Sequence, residues 1–352
     1  MTDNAMPSAH HPFFIISPPY TRTSAGIVAL HILCHQLNSS GENAFIVHHP
    51  PQVEDGNLAT RLQYCGEFPG GLNAPLITQN ALDYYNHRKI FPIVIYPEIF
   101  DNPFNVPFFA RYLLNYPGLL GRPPSQVAQY TFAYSRRVAT EGGVADVLYI
   151  PTSDLAFWNA EGASPVRSGT CYYAGKLQAI FGKRPDRVPD GSIEIPRDLS
   201  MSREQIRQLF WAKEAFYCYE DTALATEAML CGCPTVFVAN EHFVGIPLAH
   251  SETTMDGACL IDELGGLDRA RRTVGKCRQH ISEAIEAIPR RVREIATRLR
   301  ALAVDEAFVR PFAYPYEPRL VLFDANQPAP LEATRHSRWL SAFSRVLCRA
   351  SR

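Results

Sequence analysis

The stretch from Phe13 to Val47 constrains the fold more than any other part of the 352-residue chain. Phe13-Phe-Ile-Ile-Ser17 is an apolar run of strand length, and a turn of small residues, Thr23-Ser-Ala-Gly26, follows it. From Ile27 to Leu37 the apolar residues Leu30, Leu33, Cys34 and Leu37 share one helical face. Gly41 stops that pattern, and Ala44-Phe-Ile-Val47 reads as a second strand. Strand, glycine turn, helix and strand form a βαβ unit.

The style continues. Ile93–Tyr96, Tyr130–Tyr134 and Val147–Ile150 read as further strands. They are continuous apolar runs, as parallel strands covered on both faces require. The second half repeats the pattern, with strands expected at Thr170–Ala174, Ala215–Tyr219, Thr235–Val238 and Gly257–Ile261. Helices are expected at Arg203–Trp211 and Thr222–Leu230, with two long ones over 267–302 broken near Pro289. The polar stretch from Trp158 to Gly169 marks the boundary. The expected division is an α/β domain over 1–162, a second over 163–305, and a proline-rich connection with a basic amphipathic helix over 306–352. Hydrophobic residues make up 46% of the chain, enough for two cores of ordinary size.

Charge narrows the function. The formal net charge is -1 with a pI near 6.8, which argues against broad nucleic-acid binding. The N-terminus is polar and lacks a secretory pattern, and no run approaches the roughly 20 apolar residues of a membrane span. The nine cysteines are scattered without zinc-ligand spacing and read as reduced core thiols. A cytoplasmic protein is the expectation.

The chemistry is expected where ligands bind open α/β sheets, at the carboxyl ends of the strands. Tyr219-Glu-Asp-Thr-Ala-Leu-Ala-Thr-Glu227 passes from strand to helix, with Asp221 or Thr222 as N-cap. Free N–H groups and the helix dipole favour a diphosphate there, and the small residues Thr222, Ala223 and Ala225 let it approach. Glu227 lies roughly 7 Å further along the axis, a distance that suits the attached ribose. The competing reading is an ordinary capped helix with Glu227 in water.

The segment from Glu220 to Val236 resembles the donor motif of GT-B glycosyltransferases, especially the glycogen-synthase-like and mannosyltransferase-like group. Glu220 and Glu227 match its two glutamates, and Glu227-Ala-Met-Leu-Cys-Gly-Cys-Pro-Thr-Val236 matches its ending. The spacing between the glutamates is one residue shorter than in the family, and Asp221-Thr222 replaces a glycine-containing turn. The resemblance implies two Rossmann-like domains facing across a cleft and transfer from a nucleotide-sugar donor. It implies a ribose role for Glu227 and a catalytic place for Glu220. Gly175 and Lys176 match the glycine and basic residue that meet the donor diphosphate, and Ser24 and Gly26 match a small-residue loop facing it. Neutralisation by Lys176 makes a metal unnecessary; no D-x-D signature stands at a strand end, and neither metal nor cofactor is expected.

Tyr96-Pro-Glu98, Asn102-Pro103, Arg111–Asn115 and Pro117-Gly118 together resemble a segment of bacterial polysaccharide glycosyltransferases. Glu98 then orients the acceptor hydroxyl or acts as a general base; capping of the following turn is its alternative. The expected acceptor is a glycan or lipid-linked glycan, with no nucleic acid as partner. Residues 331–352 place Trp339, Leu340, Phe343, Val346 and Leu347 at helical spacing among five arginines. That helix either packs on the first domain, the preferred reading, or makes peripheral contact with an anionic inner-membrane surface. Two rival functions share the architecture: a nucleotide-sugar epimerase and a noncatalytic partner-binding subunit.

Overall fold

The computed structural model describes residues 11–49, 70–119, 123–198 and 200–303. The proline-rich connection and the basic helix expected over 306–352 lie outside them. The described chain divides into two compact units, one of residues 11–150 with 286–303 and one of residues 151–285. The division thus falls after Ile150, ahead of the polar stretch that marks it in the sequence, and the end of the last helix belongs to the first unit.

The first unit carries β1 (Phe13–Ser17), α1 (Ala25–Ser39), β2 (Ala44–His48), α2 (Gln79–Arg88), β3 (Ile93–Pro97), β4 (Phe109–Leu113), β5 (Tyr130–Ala133), α3 (Arg136–Gly142) and β6 (Asp146–Val147). The strands form one sheet in the order β2-β1-β3-β4-β5-β6, every pair parallel. Residues Phe13–Ser17 are all buried, because helices cover both faces of such a sheet. Phe14, Ile16, Val47, Val94, Tyr96, Phe104 and Phe109 meet in one core.

β4 was not expected as a strand. Arg111 interrupts its apolar run, yet the arginine is buried with the rest. Its guanidinium donates to the carbonyls of Phe100, Asp101 and Gln126 and lies 3.8 Å from Asp101 Oδ1. A buried charge is tolerated when its donors are satisfied in this way.

The second unit carries β7 (Thr170–Tyr173), α4 (Lys176–Ala179), β8 (Ile193–Glu194), α5 (Arg203–Ala212), β9 (Ala215–Cys218), α6 (Ala223–Leu230), β10 (Thr235–Phe237), α7 (His250–Thr253), β11 (Ala258–Leu260) and α8 (Gly266–Thr273). Its sheet is also parallel, in the order β11-β10-β9-β7-β8. Each unit therefore places its first strand between its second and third. The seven described cysteines are buried and free of disulfides.

A short 3-10 turn, Val274–Lys276, leads into α9 (Cys277–Ala303). The expected break near Pro289 does not occur; the interruption is at this turn instead. Proline removes one helical hydrogen bond, but Ile281, Ile288, Val292 and Leu299 anchor α9 on both sides of it. Near its end Arg300 pairs with Glu42 and covers the Phe13 ring at 5.1 Å, while Arg298 pairs with Asp146 at 2.6 Å. Among the described residues no helix is long and apolar enough to cross a membrane, and no cluster of three or more His, Cys, Asp or Glu could hold a metal.

Candidate active site

In a doubly wound sheet the ligand crevice opens where the strand order reverses, at the carboxyl ends of the two strands on either side. In the second unit those strands are β7 and β9. β7 leads into Ala174, Gly175 and Lys176; β9 leads into Tyr219, Glu220, Asp221 and Thr222. Five of the sequence-predicted residues thus stand just past the carboxyl ends of these two strands.

Two of them are joined directly. The Lys176 N–H donates to Glu220 Oε2 at 2.5 Å, and Lys176 Nζ lies 3.6 Å from Glu220 Oε1. The Glu220 side chain is only 10% exposed, whereas the lysine keeps 26% of its surface in solvent. Gly175 is what permits this approach. Its φ of +53° belongs to a region favouring glycine, and a Cβ there would stand 2.4 Å from Glu220 Cδ and 2.6 Å from Tyr173 Cε1.

The start of α6 follows. Thr222 has the extended backbone of an N-cap, and its Oγ1 accepts the Leu224 N–H at 3.4 Å. Ala223 opens the helix proper. Asp221 turns away from that helix start, its Oδ2 accepting the Leu248 N–H. Asn240 donates to the Tyr219 carbonyl at 2.8 Å, so two positions of the segment after β10 are tied to the end of β9. Neither Asn240 nor Leu248 stands out in the sequence.

Glu227 sits within α6, partly buried. Burial pushes its carboxyl up to about 7, opposed by the nearby Arg203 charge and by the Trp158 indole. The indole Nε1 itself is buried and has no partner within ordinary hydrogen-bond limits. Arg203 and Arg207, one turn apart on α5, each stand 4.2 Å from the Phe157 ring centre. The sequence reading missed this aromatic and arginine surround. The signal available was the capping box of Ser202 and Gln205, which puts Arg203 in the first turn of α5.

Arg167 fixes the frame from the other end. It donates to the carbonyls of Phe210 and Lys213 at 2.5 and 3.1 Å, and to Cys231 at 2.8 Å. These carbonyls lie at the carboxyl-terminal ends of α5 and α6, where helices leave acceptors unsatisfied.

In the first unit, Ser24 is the N-cap of α1 without a side-chain capping bond, and a Cβ on Gly26 would meet the Leu114 side chain at 3.6 Å. Glu98 follows β3 and is 6% exposed. Its Oε2 accepts the Leu114 N–H at 2.9 Å, and burial pushes its carboxyl up to about 7 against the pull of the Leu114 and Asn115 amides and the Arg111 charge. Gly26 and Glu98 therefore both meet Leu114 in the segment that leaves β4, and Ser24 stands two residues before Gly26. Three histidines of the same unit, His31 in α1, His48 ending β2 and His49 after it, are lowered by burial.

No family model and no curated protein sequence matches the chain. Solved structures do resemble it. SnogD, a glycosyltransferase from Streptomyces nogalater, is 11% identical with a TM-score of 0.41, over 82% of this chain and 99% of that one. The spinosyn rhamnosyltransferase SpnG is 12% identical with a TM-score of 0.39, over 81% and 99%. SsfS6 from Streptomyces sp. SF2575, complexed with thymidine diphosphate, is 14% identical with a TM-score of 0.37, over 82% and 100%. Likenesses this distant leave the chemistry of this chain to its own residues.

Proposed function

We propose that the chain is a glycosyltransferase, moving a sugar from a nucleotide-sugar to a hydroxyl of a glycan or lipid-linked glycan without a metal ion. The observation that carries this reading is the convergence of Lys176, Glu220 and the α6 start at the switch point of the second sheet. Such a crevice presents a cation, a helix N-terminus and a carboxylate to one ligand, the set that a sugar diphosphate needs.

The roles follow from position. Lys176 neutralises charge on the departing diphosphate, the developing charge that such a reaction must stabilise. Gly175 lets the backbone come close, and Thr222 and Ala223 offer helix-start N–H groups. Asp221 holds the segment after β10 in place. Glu227 accepts hydrogen bonds from the ribose hydroxyls. Glu220 stands nearest the transferred sugar while holding Lys176. Ser24 and Gly26 shape the turn that enters α1 in the first unit. Glu98 orients the acceptor through the segment it fixes at Leu114.

The test is a thermal-shift screen with UDP, GDP, ADP, CMP and dTDP on wild type, Lys176→Ala and Glu227→Ala. A ligand at 100 times its dissociation constant stabilises the fold by about 2.7 kcal/mol. One nucleotide raising the melting temperature of wild type and neither variant is the expected result. No shift with any of them would remove the donor site and the reading with it. Transfer lost on EDTA treatment would contradict metal independence alone.

A further inference from the structure

Glu98, Asn102 and Arg111, which mark the segment from Tyr96 to Gly118 in the sequence, are all buried in the first unit. The strand order of its sheet reverses beside β1 and β3, so its own crevice opens at their carboxyl ends, and Glu98 is the first residue past β3.

The turn after β3 holds neither helix nor strand, yet it is built like a core. Phe100, Phe104 and Val106 are buried in it. Asn102 uses its whole amide. Its Oδ1 accepts the Tyr96 hydroxyl and the Val106 N–H at 3.0 Å each, and its Nδ2 donates to the Val106 carbonyl at 2.9 Å and to Gln126 Oε1 at 3.0 Å. Asp101 accepts the Ser125 hydroxyl and the Gln126 N–H.

Arg111 closes the arrangement. It stands opposite Tyr96 in the register of β3 with β4. It donates to the carbonyls of Phe100 and Asp101, just past Glu98, and to that of Gln126. In return Glu98 accepts the N–H of Leu114, just past β4. The exits of β3 and β4 thus hold one another twice, each time by a buried charged side chain from one and the backbone of the other. A buried guanidinium adds little stability over a well-packed apolar residue of its size. What its donors achieve here is a fixed place for the turn.

We propose that Arg111 is a positioning residue for Glu98: by holding the Phe100 and Asp101 carbonyls it fixes the turn after β3, and with it the place of the Glu98 carboxyl against the acceptor hydroxyl. This rests on the acceptor role given to Glu98 above and names the device that serves it. Catalysis tolerates little error in such a place, since a misplacement of about 1 Å can cost about a hundredfold in rate.

The experiment takes wild type, Glu98→Gln, Arg111→Lys, Arg111→Gln and Gln126→Ala through two measurements. The first is hydrolysis of UDP-, GDP- and dTDP-glucose, with water in the acceptor's place. For the donor that wild type cleaves, Arg111→Lys lowers kcat about tenfold and leaves KM unchanged. If the arginine variants do not fold, Gln126→Ala decides: it is an exposed change that loosens Asn102, and kcat falls in the same direction. The second is an infrared titration of the Glu98 carboxyl, isolated by difference from Glu98→Gln. The groups acting on that carboxyl are Arg111 and Tyr112 of β4 and the Leu114 and Asn115 amides. Its midpoint, about 7 in wild type, rises in Arg111→Gln because a charge that favours the carboxylate is gone, and the rising limb of kcat with pH moves the same way. In Arg111→Lys the charge stays, and the carboxyl band broadens as its surroundings lose their single arrangement. An unchanged kcat and an unchanged band in folded Arg111→Lys and Gln126→Ala overturn the assignment and leave Glu98 in its role. Full turnover by Glu98→Gln removes that role, and the proposal with it. Neither binding nor cleavage of any donor by wild type overturns the glycosyltransferase reading, and the infrared midpoints alone then decide the tie of Arg111 to Glu98.

Discussion

Lys176 is bonded to Glu220 at both ends, its backbone N–H to Oε2 and its Nζ close to Oε1. The contact fixes the turn after β7 against the turn after β9. It also sets a carboxylate in competition with any phosphate for the same ammonium. Replacing the acid by its amide keeps an acceptor for the N–H and removes the charge. Glu220→Gln is expected to bind nucleoside diphosphate several-fold more tightly, since like-charge repulsion at this range amounts to about 1 kcal/mol or more. Turnover falls in the same variant because the sugar loses its carboxylate. Calorimetry beside a transfer assay checks both; weaker nucleotide binding would show that the acid helps hold the donor.

Gly175 admits no side chain. Gly175→Ala forces a Cβ into Glu220 and Tyr173 at a backbone angle that L-residues avoid. A cost of about 2–4 kcal/mol is expected from the two effects together, read from denaturant midpoints. Nucleotide binding weakens even under conditions where the variant stays folded, because the Lys176–Glu220 contact must open. A variant as stable as wild type would mean that this turn is not rigid.

The buried titratable groups act in opposite directions with pH. Glu98 and Glu227 stand near 7 in the folded chain against an ordinary 4.5, so the folded state holds their protons longer and stability falls as pH rises from about 4.5 to 7. His48 and His49, lowered to about 4 from 6.5, give the reverse: the unfolded chain takes up their protons first, and stability rises from about pH 4 to 6.5. His31, also lowered, adds to that rise. The sum places the stability maximum near pH 6.5. Glu98→Gln removes one falling limb while keeping an acceptor for Leu114, so its stability relative to wild type improves between pH 5 and pH 8. Melting curves across that range are the measurement, and a constant offset would show that Glu98 does not titrate there.

Arg167 serves two helices through three carbonyls. Arg167→Ala leaves them without that partner, and about 2–3 kcal/mol is expected to be lost. Arg167→Lys recovers little, since an ammonium cannot reach three acceptors in a fork geometry. Because α6 carries Glu227, ribose-dependent affinity should drop further than affinity for inorganic pyrophosphate. Equal losses for the two ligands would separate Arg167 from the Glu227 position.

The sequence made the strands legible where both faces are covered. Phe13–Ile16, Ala44–Val47 and Ile93–Tyr96 are apolar because all of their residues but the half-buried Phe45 are buried. β4 hid behind Arg111, whose buried charge depends on carbonyls far from it in sequence. β8 hid because it is two exposed residues long. The candidate residues were legible as strand-end positions, but their pairing was not. Nothing local joins Lys176 to Glu220; only the parallel neighbours β7 and β9 do so. The surround of Glu227 was hidden for the same reason, since Trp158 and Arg203 reach it from separate segments.

The last helix has a bearing on how the chain is made. The first sheet is complete by Val147, before any strand of the second is synthesised. Yet Phe13, Glu42 and Asp146 receive their Arg298 and Arg300 partners only when α9 emerges from the ribosome. Until then the nascent first unit carries two unpaired acids and an uncovered ring at its sheet, a state open to chaperones and proteases. A message cut short before Glu286 would therefore leave the first unit unfinished although its whole sheet had been made.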